Sequence, residues 1–166
     1  MKNTIFQLLP GAEGLPIKSL DGKATIAKAK DLFKSYIAPN FKEYDLDRPG
    51  SATKGTHMSV REMLAIGTFS EIFSDINADL DKVAMTQAQV IEFCKVHRAW
   101  LHRNHRTLFL IKKPKMFWDF FRKKVNKYFV VGVFVSPDSL SAFVLRLEND
   151  RVWYNAYRDR VVSLRL

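Results

Sequence analysis

The sequence predicts an α+β protein in which three N-terminal helices precede an antiparallel β-meander of about four to five strands. We expect the helices to pack on one face of that sheet. Up to about residue 101, apolar side chains recur at three- and four-residue steps, which is the spacing of one helix face. After Asn104 the apolar residues alternate or form short runs between turn residues, a pattern typical of strands.

The chain divides into an irregular N-terminal arm, residues 1–23, and a single α+β domain, residues 24–166. The arm contains prolines and glycines without any sustained period. Residues 38–57 are rich in Pro, Gly and polar side chains, so we predict a long surface loop there.

The first predicted helix begins at Ala24 and ends before Pro39. The second begins at Ser59, where Glu62 follows at the spacing of a capping box. The third begins at Thr86, and Gln89 repeats that spacing. Each helix has an apolar stripe that can cover the sheet; the stripes are Ile26, Ala29, Phe33, Tyr36 and Ile37; Met63, Ile66, Phe69, Phe73 and Ile76; and Val90, Phe93, Cys94, His97, Trp100 and Leu101.

The predicted strands follow one another through short turns. Residues 128–135 are almost continuously apolar, which indicates a strand buried on both faces. Ser136, Pro137, Asp138 and Ser139 then supply turn chemistry. The other predicted strands are residues 107–111, 143–147, 152–154 and 161–166.

Positive charge is concentrated in one part of the chain. Between Lys95 and Lys127 there are eleven Lys and Arg residues and a single acid, Asp119, so this segment carries the whole net charge of +10. A local positive field attracts polyanions.

The segment 112–127 mixes these cations with aromatic side chains. Cations neutralise phosphates and aromatic rings stack on unpaired bases. We therefore predict a small, basic, non-enzymatic protein that binds a polyanion, most plausibly RNA or single-stranded DNA. The predicted contacts are Lys112, Lys113, Lys115, Phe117, Trp118, Arg122, Lys123, Lys124 and Lys127.

Other interpretations of the same segment stay open. Phe117, Phe120 and Phe121 could pack on the sheet as part of a short helix whose lysines are only solvated. The segment could also lie on an anionic lipid surface or dock on an acidic protein partner.

An enzymatic alternative uses the end of the chain. Arg158, Arg160 and Tyr157, with His102 or alternatively His105 as a proton carrier, are residue types that serve phosphodiester cleavage. This arrangement resembles the small basic ribonuclease toxins of bacterial toxin–antitoxin pairs over about residues 86–166. The competing interpretation is that these charges lie at a turn or sheet edge and discourage edge association.

The sequence gives little indication of a metal or cofactor. Cys94, His97, His102 and His105 are types of zinc ligand, but their spacing is not that of a known site. No phosphate-binding loop, dinucleotide fingerprint or metalloprotease motif occurs. We therefore expect no metal and no cofactor.

The single Cys94 excludes an intramolecular disulfide and fits a reducing compartment. The apolar stretch before Pro10 is too short for a secretory signal. The longest apolar run, residues 129–135, is far below the ~20 residues that span a bilayer. We expect a cytoplasmic protein without a membrane span.

Several short stretches together resemble a family of short uncharacterised bacterial proteins. The likeness covers most of residues 30–166 and is carried by Phe33-Lys34-Ser35-Tyr36-Ile37, Phe41, Leu46-Asp47-Arg48-Pro49-Gly50, Thr86-Gln87-Ala88-Gln89, Phe93-Cys94, Val152-Trp153 and Arg158-Asp159-Arg160-Val161-Val162. Residues 114–127 are longer and more basic than in that family. The resemblance implies a bacterial cytoplasmic setting and no particular activity.

Overall fold

A mixed sheet of eight strands lies at the centre of the structure, a computed structural model that describes residues 5–115, 121, 127–152 and 158–165. Along the sheet the strands follow the order β1-β4-β8-β5-β6-β7-β3, and β2 also pairs with β4. The strands are β1 (Phe6–Leu8), β2 (Leu15–Ile17), β3 (Tyr36–Ile37), β4 (Thr56–Met63), β5 (Thr107–Lys112), β6 (Tyr128–Val135), β7 (Leu140–Arg146) and β8 (Arg160–Leu164).

The residues predicted as an irregular arm supply one edge of this sheet. β1 and β2 pair in succession with the two halves of β4, and both are antiparallel to it. Between them the chain turns at Pro10 and Gly11, where the N–H of Ala12 donates to the carbonyl of Leu9 at 3.0 Å. Gly11 has a φ of 80°, and a Pro-Gly pair in this geometry forms a type II turn.

Helices cover both faces of the sheet. α2 (Phe69–Ile76) packs Ile72 and Phe73 against one face, and α3 (Gln87–Val96) packs Val90 and Phe93 against the other. Successive residues of β5 and β6 therefore contribute to different cores, because strand side chains alternate between faces. The prediction that all helices lie on one face is wrong.

The first predicted helix is not present. Residues 24–38 contain only a 3-10 turn at Ile26–Lys28 and the short strand β3. Tertiary hydrogen bonds take the place of helical ones: the N–H of Ile26 donates to Gln87 Oε1 at 3.0 Å, and Gln87 Nε2 donates to the carbonyl of Leu46 at 2.7 Å. The apolar side chains whose spacing indicated a helix enter the core one by one from a segment that is not helical.

The second predicted helix begins too early. Ser59 lies in β4, and its hydroxyl donates to the carbonyl of Glu13 at 3.0 Å. α2 starts after Thr68, which forms a capping box with Glu71. Within the predicted loop 38–57 the structure has a short helix, α1 (Asn40–Glu43). The third helix is confirmed, with the predicted capping box between Thr86 and Gln89, although it ends at Val96.

The antiparallel meander is wrong as a topology. β6 has the predicted bounds and is buried over most of its length, and β5, β6 and β7 are antiparallel neighbours. β8, however, lies between β4 and β5, antiparallel to the first and parallel to the second. β3 is also parallel to β7. The sheet is therefore mixed, and strands precede the first helix.

One predicted strand, residues 152–154, falls mostly outside the described residues, and Val152 itself is not in a strand. Among the helices that the structure describes, none combines the length and apolar character needed to cross a membrane.

Candidate functional site

The basic aromatic segment connects β5 to β6 at one end of the sheet. The N–H of Lys113 donates to the carbonyl of Lys127 at 2.8 Å, so the two ends of this segment lie side by side. Lys112, Lys113, Lys115 and Lys127 are described by the structure. The other predicted contacts, Phe117, Trp118, Arg122, Lys123 and Lys124, lie outside the described residues.

The N-terminus of α3 lies against the same end of β5. Met85 forms a bridge with Ile111: its N–H donates to the carbonyl of Leu110 at 2.9 Å, and its carbonyl accepts from the N–H of Lys112 at 3.2 Å. Thr86 follows directly as the N-cap of the helix. The positive end of the α3 dipole is therefore adjacent to the lysines of β5.

A cleft of about 400 Å³ opens between these elements. Residues 49–51 form one wall, the start of α3 forms the second, and the end of β5 forms the third. We call it the lysine cleft; it is lined by Pro49, Gly50, Ser51, Thr86, Gln87, Lys112, Lys113, Pro114 and Lys115. Three of these nine residues are cationic and none is acidic, which suits an anionic group.

Asp81 already pairs with two of the predicted lysines. Its carboxylate lies 2.9 Å from Lys112 Nζ and 3.1 Å from Lys127 Nζ, and it accepts a hydrogen bond from the hydroxyl of Tyr128. These hydrogen bonds, that of Tyr128 above all, hold the pKa of Asp81 far below its usual range. A hydrogen bond with Tyr128, followed by the contact with Asp81, raises the pKa of Lys127. Lys112 and Lys127 are therefore partly neutralised by a neighbouring carboxylate.

Lys113 is the least accessible of the four. Its side chain is 9% exposed, and Nζ donates to Asp45 at 3.1 Å. Lys115 is exposed, and no hydrogen bond or ion pair of its side chain is found within the described part of the chain. The three cations of the lysine cleft therefore differ in how accessible they are to a ligand. Lys115 is the most accessible, Lys112 is intermediate and Lys113 is the least accessible.

The described basic residues do not form a single patch. β5 separates Arg103 and Arg106, which precede it, from Lys112 at its end and from Lys113 and Lys115, which follow it. Six residues of strand place these groups roughly 17 Å apart. Arg106 also has a structural contact, because its guanidinium lies 2.7 Å from the buried carboxylate of Asp159.

The residues of the enzymatic alternative meet at the opposite end of β5. Glu62 and Arg160 are direct partners in the register of β4 and β8. Arg158 Nε lies 3.0 Å from Glu62, and Arg160 Nη1 donates to the carbonyl of Trp100 at 2.9 Å. Tyr157 is outside the described residues.

His102 has a structural role in this cluster. Its Nδ1 accepts the N–H groups of Asn104 and His105, each at 3.1 Å. This pattern assigns the ring proton to Nε2, and the lone pair of Nδ1 is already occupied by the two backbone N–H groups. Burial, with the charge of Arg160, lowers the pKa of His102. A general base needs a free lone pair, so these contacts favour a structural role.

The Cys/His series does not converge on one point. Cys94 is buried on α3, which raises the pKa of its thiol. Nε2 of His97 lies 2.8 Å from the carbonyl of Pro16, and the rings of His102 and His105 contact each other instead. Across the described residues, no group of three or more His, Cys, Asp or Glu could hold a metal ion.

No signal in the sequence identifies Asp45, Asp81 or residues 49–51 as parts of this site. These residues are separated from Lys112 by at least thirty positions in the chain, and tertiary contacts such as the Met85 bridge and the hydrogen bond from Gln87 to Leu46 bring them near it. The helix start at Thr86 was predicted from its capping box, but no local signal places it beside β5.

Comparisons with family models, with curated proteins and with solved structures give no match for this chain.

Proposed function

We propose that this protein binds a phosphate-rich polymer, RNA or single-stranded DNA, and does so without catalysing a reaction on it. The observation that carries the proposal is the lysine cleft, in which Lys112 and Lys115 line a concave surface beside the start of α3. Ammonium groups and a helix N-terminus both attract phosphate oxygens.

The carboxylate of Asp81 is compatible with such a ligand. The side chains of Lys112 and Asp81 are 36% and 45% exposed, and exposed ion pairs stabilise a fold by only about 0 to 1 kcal/mol. A polymer that presents several phosphates can therefore compete with Asp81 for Lys112 and Lys127. Lys113 is harder for a ligand to reach, because its own side chain is only 9% exposed.

A preference for single strands is expected from the aromatic residues that follow Lys115 in the sequence. Phe117 and Trp118 follow Lys115 within three positions. Stacking of a base on an aromatic ring contributes roughly 1 to 3 kcal/mol and requires an unpaired base. The lysines supply affinity for any phosphate backbone, and the aromatic residues would select the single strand.

The test is fluorescence anisotropy of labelled single-stranded RNA, single-stranded DNA and duplex DNA at about 50 and 200 mM salt. The variant Lys112→Gln with Lys115→Gln should weaken binding of all three and flatten the salt dependence. Each lost phosphate contact changes the log–log slope by about 0.7 on single strands. Trp118→Ala should reduce the advantage of single strands over duplex.

The matched control is Lys30→Gln with Lys34→Gln, which removes the same charge from exposed positions that do not line the cleft. Equal affinity and equal salt slope in the cleft variant and this control would refute the proposal. RNA recovered intact after long incubation is expected, and its cleavage would instead support an enzyme. Saturable binding of an acidic protein without binding of nucleic acid would favour a protein partner.

A further inference from the structure

We propose that a second cleft, at the opposite end of β5, binds one nucleotide unit of the same strand, with its phosphate on arginine and its base on an apolar floor. This inference rests on the proposed function and adds a second contact to it. The cleft has a volume of about 690 Å³, within the range of roughly 300 to 1,000 Å³ that is common for small-molecule sites.

Three segments form this arginine cleft. The 3-10 turn Arg98–Trp100 follows α3, the loop after it leads into β5, and the turn between β6 and β7 closes the third side. The lining residues are Arg98, Ala99, Leu101, Arg103, Asn104, Val135, Ser136 and Pro137. Both arginines belong to the basic part of the chain between Lys95 and Lys127, and the sequence alone predicts no individual role for either.

Within the described residues, the arginines of this cleft have no carboxylate partner, whereas Lys112 and Lys113 of the lysine cleft are paired with Asp81 and Asp45. No acidic residue lines it. Arg98 and Arg103 are both exposed, and within the described residues neither guanidinium has a hydrogen bond or an ion pair. A guanidinium presents a planar fork of donors that matches two phosphate oxygens. Two such groups at the rim of one cleft favour a phosphate over a neutral ligand.

The rest of the lining suits the base of a nucleotide. Leu101 is buried beneath the cleft, and Val135 and Pro137 add apolar surface from the turn after β6. Asn104 and Ser136 bring an amide and a hydroxyl that can bond base edges or a sugar. A guanidinium plane can itself stack on an unpaired base. The combination therefore fits a nucleotide better than an inorganic anion.

The placement of the two clefts suits a single strand that contacts both. α3 begins at the lysine cleft, and the turn at its C-terminal end lines the arginine cleft. A helix of ten residues is about 15 Å long. With stacked bases at roughly 3.4 Å per nucleotide, about five nucleotides span that length. Short oligonucleotides should thus reach one cleft and longer ones both.

The experiment compares single-stranded RNAs of about three and about twelve nucleotides, lengths chosen on either side of that span. Arg98→Gln with Arg103→Gln should weaken binding of the longer RNA by about tenfold or more, since charge-assisted hydrogen bonds to two guanidiniums are lost. Affinity for the short RNA should change much less. Arg98→Lys with Arg103→Lys should restore only part of the loss, and Lys30→Gln with Lys34→Gln should reproduce none of it.

A second measurement identifies the ligand chemistry at the cleft. Titration with adenosine 5′-monophosphate should shift the backbone amide resonances of Asn104 and Ser136 at concentrations where inorganic phosphate leaves them unchanged. Equal shifts with phosphate alone would overturn the nucleotide assignment and leave a simple anion site.

The outcomes separate this inference from the proposed function. If the arginine variants bind the longer RNA like the wild-type protein while Lys112→Gln with Lys115→Gln weakens it, the inference fails and the proposed function stands. If the wild-type protein binds neither RNA, the proposed function fails, and the nucleotide titration still decides whether the arginine cleft exists as a site.

Discussion

The ring of Phe143 lies directly over the α-carbon of Gly132 on the neighbouring strand. The two residues are partners in the register of β6 and β7, and a Cβ placed at position 132 would stand 1.9 Å from Cζ of Phe143. Phe134 packs on the same ring, with centroids 5.5 Å apart. Glycine is therefore required in the middle of β6 because an aromatic ring occupies the space of a side chain.

Gly132→Ala should destabilise the fold by about 1 to 3 kcal/mol, since overpacking of a close-packed site forces a ring or a strand to move. Urea unfolding measures this change. The control is Gly67→Ala, where the nearest atoms to a new Cβ are at 3.5 Å and little change is expected. Phe143→Ala introduced together with Gly132→Ala should cost less than the sum of the two single changes, and strict additivity would argue against the contact.

Asp159→Asn should lower the free energy of unfolding by about 3 to 5 kcal/mol, the usual effect of removing one partner of a buried ion pair. Asp159 is fully buried and lies 2.7 Å from the guanidinium of Arg106. It also accepts the backbone N–H of Arg106 at 3.2 Å. Thermal and urea unfolding provide the measurement. Asp21→Asn, at an exposed pair, should have almost no effect, and similar values for both variants would contradict the prediction.

Thr86→Ala should destabilise the protein by about 0.5 to 2 kcal/mol through loss of an N-cap. The hydroxyl of Thr86 accepts the N–H of Gln89 at 3.2 Å, and Gln89 Oε1 accepts the N–H of Thr86 at 2.9 Å. Thr86→Ser keeps the hydroxyl and should retain most of the stability. An alanine variant as stable as the serine variant would show that the capping box is dispensable.

Asp81→Asn should increase affinity for single-stranded RNA at neutral pH. The carboxylate is held charged by Tyr128, Lys112 and Lys127, which keep its pKa far below the usual range. Removing its charge frees both lysines for phosphates. Its contribution to stability is present at neutral pH and is lost only in acid, as pH falls through its depressed pKa. Anisotropy at low salt measures the affinity.

The control for this change is Asp79→Asn, which removes the same charge two positions away, where the carboxylate lies 4.0 Å from Lys82. A general effect of net charge would raise affinity equally in both variants. An effect specific to the lysine cleft would appear in Asp81→Asn alone. Weaker binding by that variant would show that Asp81 positions the lysines instead of competing for them.

His102 should make stability fall as the pH decreases below about 6.5, the ordinary value of its pKa. Burial and the charges of Arg160 and His105 lower the pKa of His102 in the folded state, although Glu62 and Asp159 oppose the shift. As the pH falls, His102 therefore takes up a proton in the unfolded chain before it does so in the folded protein. The free energy of unfolding keeps its full value above about pH 6.5 and decreases below that pH. His102→Gln should flatten this part of the profile in urea unfolding at several pH values.

The control for the pH profile is His57→Gln, at an exposed position. It should keep the pH dependence of the wild-type protein. A profile unchanged by His102→Gln would assign the dependence to another group.

The elements that could be predicted from the sequence are those whose signal is local. The apolar run of β6 is more continuous than the apolar stripe of a helix, in which polar residues intervene. The capping box of α3 pairs side chains with backbone N–H groups that lie within four residues of one another. β4 shows how such signals compete. Met58 and Val60 alternate with polar residues as a strand requires, yet Ser59 and Glu62 also have capping-box spacing. In the structure these residues form a strand because β4 pairs with β1 on one side and with β8 on the other.

The candidate site was predictable only in part for the same reason. Residues 112–127 are recognisable as basic and aromatic from composition alone. The carboxylates that neutralise Lys112 and Lys113, the helix start beside them and the separate arginine cleft depend on contacts between distant segments.

The amino-acid sequence by itself determined the α+β content, the position of α3, the bounds of β6 and the local excess of positive charge. Only the tertiary structure decided that β8 lies between β4 and β5, and that the described basic residues which line the two clefts lie at opposite ends of β5. The physical reason is that periodicity and caps record hydrogen bonds and burial within a few residues. Strand order and ion pairing are set by free energies of contacts between segments that the chain keeps far apart.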